Sequence, residues 1–283
     1  MAFHIPHIAL GDKLWLLHSA AFIYYLAVSV TFLTTDLYIT VPHIYADYDF
    51  TGILLRYLLV VYIFFNMVAN HILCTITDTT YRNRQDPDPV PRSWGHCMTC
   101  QVHTPPRTWH CSICHNCVLR RDHHCFFTAS CVGHHNQRYF IVLSFHVAVG
   151  SLYTGLLNAE YLHDYYVPFS GTGVFSYLFP VAFYKLIVGQ TTGFLVFMLV
   201  MTYVAFGMSI MTGTLFGWNM LNAYNGQTSW ESHNEIRTYD QGPTKNFYEI
   251  FGSFWILSFL IPWQTTLPGD GIDWRRPKPL KSL

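Results

Sequence analysis

Four long apolar segments constrain the fold of this chain more than any other feature. They run from Leu14 to Leu33, Ile53 to Ile76, Tyr139 to Tyr161 and Gly193 to Leu221. An α-helix needs about 20 apolar residues to cross about 30 Å of hydrocarbon, and each segment is long enough. Only 11% of the 283 residues are charged, whereas soluble domains have about 25%. We therefore predict an α-helical polytopic membrane protein with four transmembrane helices.

Two shorter apolar segments do not reach this length. Val174–Val188 contains Pro180 and Lys185, so we expect an interfacial or re-entrant piece beside the fourth helix rather than a fifth span. Phe247–Ile261 contains Glu249, and we expect it to be buried or to lie on the membrane surface.

Basic residues predict the orientation of the helices. They concentrate between the second and third spans and after the fourth, at Arg82, Arg84, Arg92, Arg107, Arg120, Arg121, Arg138, Arg237, Lys245, Arg275, Arg276, Lys278 and Lys281. The 36–52 loop has no basic residue, and the 162–192 connection has only Lys185. The positive-inside rule then places both termini and the segment between spans two and three in the cytosol. No cleaved signal peptide is apparent, so we expect the first span to act as an uncleaved anchor.

Seven of the eight cysteines lie between the second and third spans, from Cys97 to Cys131. In the reducing cytosol, a dense array of paired Cys-x2-Cys units binds zinc more often than it forms disulfides. Two tetrahedral sites need eight ligands. Six cysteines with His110 and His124 would leave Cys125 free, whereas seven cysteines with one histidine would leave no free thiol. Counting leaves both possibilities open.

The same segment contains the sequence Asp122-His123-His124-Cys125. A cysteine that is not bound to metal, beside a histidine and a carboxylate, is typical of nucleophilic catalysis. Next to a membrane, this combination suggests thioester transfer. We read His96, His103 and His115 as ordinary loop residues. The net charge of zero and the absence of a recognition helix argue against nucleic-acid binding.

Residues 97–140 resemble the DHHC cysteine-rich domain of the protein S-acyltransferases (palmitoyltransferases), which are polytopic membrane enzymes. The cysteines, the Asp-His-His-Cys sequence and further positions carry the resemblance, including Pro106, Arg107, Gly133, Asn136 and Phe140. After the fourth span, Thr228-Ser229-Trp230-Glu231 resembles the TTxE motif of the family. The C-terminal element of the family is matched by Tyr239, Gly242, Asn246 and Phe251-Gly252.

The resemblance implies two structural zinc ions, one held by Cys97, Cys100, His110 and Cys117, the other by Cys111, Cys114, His124 and Cys131. It implies that Cys125 is the nucleophile, that His123 is its base and that Asp122 orients His123. Palmitoyl-CoA would be the acyl donor. The partners would be acyl-CoA, substrate proteins with membrane-proximal cytosolic cysteines and the lipid bilayer, with no nucleic acid, in the Golgi or endoplasmic reticulum.

Along the chain we expect four parts: 1–80 with the first two helices, 81–138 as the zinc domain, 139–221 with the last two helices, and 222–283 as a cytosolic tail. Ser229 either bonds near Asp122 or belongs to a simple turn. Asn246 either braces the tail or caps a helix. Phe126, Phe127 and Ser130 replace the family's Pro, Trp and Asn, which predicts lower activity or an altered acyl preference. The alternative function is a non-catalytic membrane adaptor stabilised by zinc.

Overall fold

The computed structural model of the chain describes residues 12–81, 88–262 and 266–274. In this part of the chain, four helices are long and apolar enough to cross a membrane: Leu14–Ile44, Phe50–Ile76, Gln137–Tyr165 and Gly193–Tyr224. The four predicted spans are therefore confirmed. Several basic residues used to predict the orientation lie outside the described residues, namely Arg82, Arg84, Arg275, Arg276, Lys278 and Lys281.

The first span is longer than its apolar segment predicts. Helix α1 (Asp12–Thr35) continues through one π-helical turn (Asp36–Thr40) into α2 (Val41–Ile44). The sequence analysis placed Asp36 at the start of the 36–52 loop. A buried carboxylate without hydrogen-bond partners would be costly. In the structure the Asp36 carboxylate accepts hydrogen bonds from Thr40 Oγ1 at 3.1 Å and Thr154 Oγ1 at 2.7 Å. These bonds allow the helix to continue past the carboxylate.

The other spanning helices are α3 (Phe50–Ile76), α4 (Gln137–Tyr165) and α6 (Gly193–Tyr224). Between α4 and α6 lie a 3₁₀ helix, Gly171–Tyr177, and the short α5, Phe179–Ile187. At nine residues, α5 is too short to cross a bilayer. The prediction that 174–188 is not a fifth span is confirmed.

Three small hairpins fill the segment between α3 and α4. Each consists of two antiparallel strands of three residues: β1 Gly95–Cys97 with β2 Val102–Thr104, β3 Trp109–Cys111 with β4 Asn116–Val118, and β5 His123–Cys125 with β6 Ser130–Val132. The residue before each second strand has a left-handed backbone, with φ of 54°, 52° and 48° at Gln101, His115 and Ala129. Isolated two-stranded hairpins are marginal in water, so this segment needs further cross-links.

The C-terminal tail folds back from α6 as three short helices, α7 (Ser229–His233), α8 (Pro243–Phe251) and α9 (Trp255–Leu260). The turn after α6 requires Gly226, because its φ is +66° and a Cβ there would lie 2.7 Å from the Asn246 side chain. Asn246 Nδ2 donates to the carbonyl of Tyr224 at 2.8 Å. Asn246 therefore braces the tail, which was one of its two predicted roles.

The chain divides into two compact units. One comprises the described parts of Met1–Tyr25, Val68–Leu143 and Phe216–Leu283, and a core of this unit contains Ile141, Val142, Ala223, Ile250 and Phe251. The other comprises Leu26–Met67 and Ser144–Leu215, with Val28, Phe32 and Ala205 packed together. The hairpins and the tail belong to the first unit. The four-part division along the chain stays a prediction.

Candidate active site and metal clusters

Each of the three hairpins is built on the same 14-residue repeat. The first strand ends in a His-Cys pair, which is in turn His96-Cys97, His110-Cys111 and His124-Cys125. Three positions after that cysteine stand Cys100, Cys114 and Thr128, and six positions after it stand His103, Cys117 and Cys131. Each potential ligand in one hairpin therefore has a counterpart 14 residues away in a neighbouring hairpin.

Two groups of side chains can each hold a metal ion, and the ligand atoms within a group lie within 4.8 Å of one another. The groups are Cys97, Cys100, His110 and Cys117, and Cys111, Cys114, His124 and Cys131. Each group takes both cysteines from the turn of one hairpin, and the histidine and last cysteine from the next hairpin. These eight side chains are the ones that the family resemblance implied as ligands, and His96, His103 and His115 belong to neither group.

The donor sets fit zinc, because three sulfurs and one imidazole nitrogen form a tetrahedral structural site. Backbone amides also point at the sulfurs: Cys100 N donates to Cys97 Sγ at 3.4 Å, and Cys114 N donates to Cys111 Sγ at 3.5 Å. Such bonds favour the thiolate, which is the form that binds metal. His124 Nδ1 lies 3.2 Å from Cys114 Sγ and 3.6 Å from Cys131 Sγ.

Cys125 occupies the metal-binding position of the third hairpin but belongs to neither group. Its turn has Thr128 where the other turns have a cysteine, and after β6 the chain enters α4 instead of another hairpin. The Thr128 hydroxyl and backbone amide hydrogen-bond to the Cys125 sulfur. The Cys125 side chain is buried, with 9% of its surface exposed.

The alternation of a β-strand gives the adjacent histidines different surroundings. His123 and Cys125 lie on one face of β5, and His124 lies on the other. His123 hydrogen-bonds to the Cys125 side chain, and its Nδ1 bonds to Asp122 Oδ2 at 2.8 Å. The structure thus brings Asp122, His123 and Cys125 together as a hydrogen-bonded chain, while His124 faces the sulfurs of the second group.

Asp122 is held by the C-terminal tail. Its carboxylate accepts hydrogen bonds from Ser229 N at 2.6 Å and Ser229 Oγ at 3.0 Å, so the predicted contact between Ser229 and Asp122 is confirmed. Thr228 caps α7 in a reciprocal capping box with Glu231, which fixes the position of Ser229. The Asp122 side chain is only 1% exposed, whereas that of His123 is 34% exposed.

The electrostatic interactions among Asp122, His123 and Cys125 favour a reactive thiol. Burial opposes the charge on His123, but the hydrogen bonds to Asp122 and Cys125 outweigh it and raise the pKa of His123 to about 9. Burial likewise disfavours the Cys125 thiolate, yet hydrogen bonds from His123 and Thr128 keep the pKa of Cys125 below its ordinary value. Such an arrangement can supply a thiolate nucleophile beside a proton donor.

The residues that depart from the family pattern have partners of their own. The Phe127 carbonyl lies 2.9 Å from His71 Nε2, and Ser130 Oγ donates to Thr128 Oγ1 at 3.2 Å.

Asn136 Nδ2 donates to the carbonyls of Cys74 at 3.0 Å and Cys131 at 2.8 Å. Asn136 therefore fixes the turn that leads into α4.

A buried ion pair that the sequence did not reveal joins the hairpins to the tail. Arg107 Nε and Nη2 donate to Glu231 Oε1 and Oε2 at 2.7 and 2.6 Å. The guanidinium also lies over the rings of Tyr239, at 4.5 Å, and Trp274, at 4.4 Å. These partners are more than 100 residues from Arg107 in the chain, and no local pattern links them.

The fold is that of a polytopic membrane protein, with four helices of membrane-spanning length and a cysteine-rich segment that contains two potential metal clusters. Cys125, which belongs to neither cluster and lies beside His123, makes this segment a candidate thiol active site. Residues 92–236 match the sequence model described as DHHC palmitoyltransferase. The chain belongs to the DHHC palmitoyltransferase family.

Two relatives come from Danio rerio. One, named "Probable palmitoyltransferase ZDHHC24", is 36% identical over 191 residues, which cover 66% of this chain and 64% of the relative. The other, named "Palmitoyltransferase ZDHHC22", is 28% identical over 142 residues, covering 49% of this chain and 51% of the relative. The chain thus spans less than two thirds of the length of either relative.

Proposed function

We propose that this chain is a protein-cysteine S-palmitoyltransferase, which transfers a long-chain acyl group from acyl-CoA to cysteines of substrate proteins through an acyl-enzyme on Cys125. One observation carries the proposal. Cys125 lies outside both metal groups and is hydrogen-bonded to His123, which is in turn held by Asp122. The palmitoyltransferase names of the relatives support the same function.

In the first step, the Cys125 thiolate attacks the carbonyl carbon of the acyl-CoA thioester. A new bond forms between that carbon and Cys125 Sγ, the bond to the sulfur of CoA breaks, and the CoA thiolate takes a proton from His123. In the second step, His123 accepts the proton of a substrate cysteine, whose sulfur attacks the acyl-enzyme and releases the Cys125 thiolate. One thioester replaces another in each step, so the reaction needs no other co-reactant.

Asp122 and the metal clusters have supporting roles in this proposal. Asp122 accepts a hydrogen bond from His123 Nδ1 and keeps Nε2 available to exchange protons. The two groups of four ligands hold one zinc ion each, and the zinc supplies folding free energy to the hairpins. Neither group keeps an open coordination position for substrate, since each provides four protein ligands.

The membrane would hold the acyl donor and its product. A long acyl chain gains about 0.8 kcal/mol for each CH₂ that it buries in the bilayer, so the lipid phase retains it close to the hairpins. We propose that the hairpins and both termini face the cytosol, where acyl-CoA and membrane-proximal cysteines of substrate proteins are available, on the Golgi or endoplasmic reticulum. No nucleic acid takes part.

The test combines acyl labelling with metal analysis of the purified full-length protein. After incubation with palmitoyl-CoA, we expect a hydroxylamine-sensitive acyl adduct on Cys125 and two zinc ions per chain. Cys125→Ser should lose the adduct and keep both zinc ions. Cys111→Ser, the matched change at the equivalent position of the second hairpin, should lose zinc as well as the adduct.

Two results would contradict the proposal. No adduct on folded protein that contains both zinc ions would favour the adaptor, in which the zinc domain only binds partners. Equal zinc loss in Cys125→Ser and Cys111→Ser would show instead that Cys125 is a metal ligand.

A further inference from the structure

A histidine interrupts the apolar surface of the first membrane helix. His18 is the one strongly polar residue in the core of that apolar segment, and only 4% of its surface is exposed. Its Nε2 lies 2.9 Å from Nε2 of His124. The His18 ring also packs on the rings of His124 and Phe126, both at 5.1 Å between centroids.

The geometry of His124 shows which of its ring nitrogens faces the metal position and which faces His18. Its Nδ1 lies 3.2, 3.6 and 3.8 Å from the sulfurs of Cys114, Cys131 and Cys111. Nδ1 is therefore the nitrogen aimed at the metal position. A neutral imidazole that ligates through Nδ1 carries its proton on Nε2, and the Nε2–H of His124 points at His18.

His18 must then accept this hydrogen bond through the lone pair of its own Nε2, and its proton resides on Nδ1. Nδ1 of His18 is buried and has no hydrogen-bond partner among the residues that the structure describes. Within that part of the chain, His124 is thus the side chain that orients the His18 ring by hydrogen bonding. Histidines that bind metals are usually held by such an acceptor, and losing it typically weakens metal binding 10- to 100-fold.

We infer that His18 is a positioning residue of the metal centre formed by Cys111, Cys114, His124 and Cys131, because it accepts the Nε2–H of His124. The inference rests on the metal assignment in the proposed function. Through this bond, the first membrane helix fixes the orientation of the His124 ring. His124 lies between His123 and Cys125 in the sequence. His18 contacts the histidine of one cluster, so its loss should affect one metal ion of two, and the other ion serves as an internal control.

The test measures the rate at which zinc leaves the purified full-length protein in the presence of a chromogenic chelator. His18→Phe keeps an aromatic ring against His124 and Phe126 but has no acceptor. His18→Gln provides an amide oxygen that can accept the bond. Phe22→Leu, one turn further along the same helix and packed on His71, is the matched control.

We expect one of the two zinc ions to leave His18→Phe about 10- to 100-fold faster than it leaves the parent protein, and the other to leave at the parental rate. His18→Gln should restore slow release in part, and Phe22→Leu should behave like the parent. Unchanged release in His18→Phe, or equal acceleration of both ions, would overturn the inference. A parent protein without zinc would instead contradict the metal assignment on which the inference rests.

A second measurement needs no substitution and covers the case in which His18→Phe does not fold. In parent protein labelled with ¹⁵N-histidine, the N–H···N bond should give a scalar coupling between Nε2 of His124 and Nε2 of His18. Folded protein that contains zinc and lacks this coupling would rule the inference out.

Discussion

At position 128 the third hairpin has a threonine where the first two have a cysteine. Cys97 and Cys111 each share a turn with a second sulfur, and those pairs anchor the two metal groups. Cys125 has no such partner. Its sulfur receives hydrogen bonds from the hydroxyl and amide of Thr128 instead. In the proposed function, the thiol that stays free of metal within the hairpins thus comes from a turn that lacks the second sulfur.

We predict that Thr128→Val slows formation of the acyl-enzyme about tenfold. A hydrogen bond to a charged group contributes about 1.5–3 kcal/mol, and the backbone amide of residue 128 would compensate for part of the loss. Thr128→Ser keeps the hydroxyl and should react at nearly the parental rate. The initial rate of labelling with palmitoyl-CoA measures both, and each variant should contain two zinc ions. Equal rates for the valine and serine variants would show that the Thr128 hydroxyl does not contribute to formation of the acyl-enzyme.

A second prediction concerns Arg107. Arg107→Lys keeps the charge but cannot form the two-pronged pair with Glu231 or cover the rings of Tyr239 and Trp274. We expect the free energy of unfolding to fall by about 2 kcal/mol, since the buried Glu231 carboxylate loses a charged partner of matching shape. Thermal unfolding measures the change. Arg92→Lys, at an exposed position, is the control, and an equal melting temperature for the two variants would contradict the prediction.

Among the elements of the fold, the segment 266–274 has no motif that predicts a role. The sequence shows only the turn-rich stretch Leu267–Ile272. In the structure, segment 266–274 packs on residues that flank the hairpins: the Gly269 carbonyl lies 2.9 Å from His134 Nε2, and Trp274 contacts the Arg107 guanidinium. Gly271 makes the close approach possible, because its φ is +76° and a Cβ would lie 2.9 Å from the His134 ring.

Two neighbouring glycines provide a matched test of this packing. Gly271→Ala should detach the segment, since alanine disfavours the left-handed backbone and its methyl group would collide with His134. Gly269→Ala should leave the segment in place, because a Cβ there has no atom within 4 Å. Hydrogen exchange of residues 266–274 measures both outcomes. Equal protection in the two variants would show that the contact with His134 does not hold the segment.

The same contact should depend on pH. Burial lowers the pKa of His134 to about 4, and the nearby charges of Arg120 and Arg107 act in the same direction. The folded state therefore keeps His134 neutral, whereas the unfolded chain takes up the proton below about pH 6.5. Stability is complete above pH 6.5 and is lost as the pH falls toward 4, by on the order of 3 kcal/mol.

Hydrogen exchange of residues 266–274 between pH 7 and pH 5 would detect this loss as falling protection. His134→Gln can still donate to the Gly269 carbonyl and does not titrate in this range, so its protection should vary less with pH. The same pH dependence in the parent and the glutamine variant would assign the effect to another group.

Sequence patterns predicted those parts of the molecule that depend on neighbours in the chain. Apolar length identified the four spans, and the spacing of cysteines such as Cys97 and Cys100 identified the metal-binding turns. The extension of the first helix past Asp36 could not be predicted, because it depends on the hydroxyl of Thr154. The pair of Arg107 with Glu231 and the contact of His18 with His124 depend in the same way on tertiary structure. The 14-residue repeat was visible in the sequence and would have identified Thr128.

For the whole molecule, the hairpins and the membrane helices should differ in what stabilises them. The hairpin strands are three residues long, and the cysteines themselves form much of their buried surface: Cys111 and Cys131 pack on Val118, and Cys117 packs on Tyr81 and Leu119. If zinc leaves, little apolar surface remains to compensate for the entropy of ordering this segment. The membrane helices keep all their internal hydrogen bonds in lipid, with or without metal.

We therefore predict that a zinc chelator unfolds the hairpins and leaves the spanning helices intact. Residues 95–132 should become sensitive to protease, acyl labelling of Cys125 should stop, and the helical circular dichroism should change little. A calcium-selective chelator at the same concentration is the control. Hairpins that stay resistant to protease after both zinc ions have been removed would show that packing alone holds them. In that case the packing of the hairpins would position Cys125, and zinc would contribute little to the stability of the hairpins.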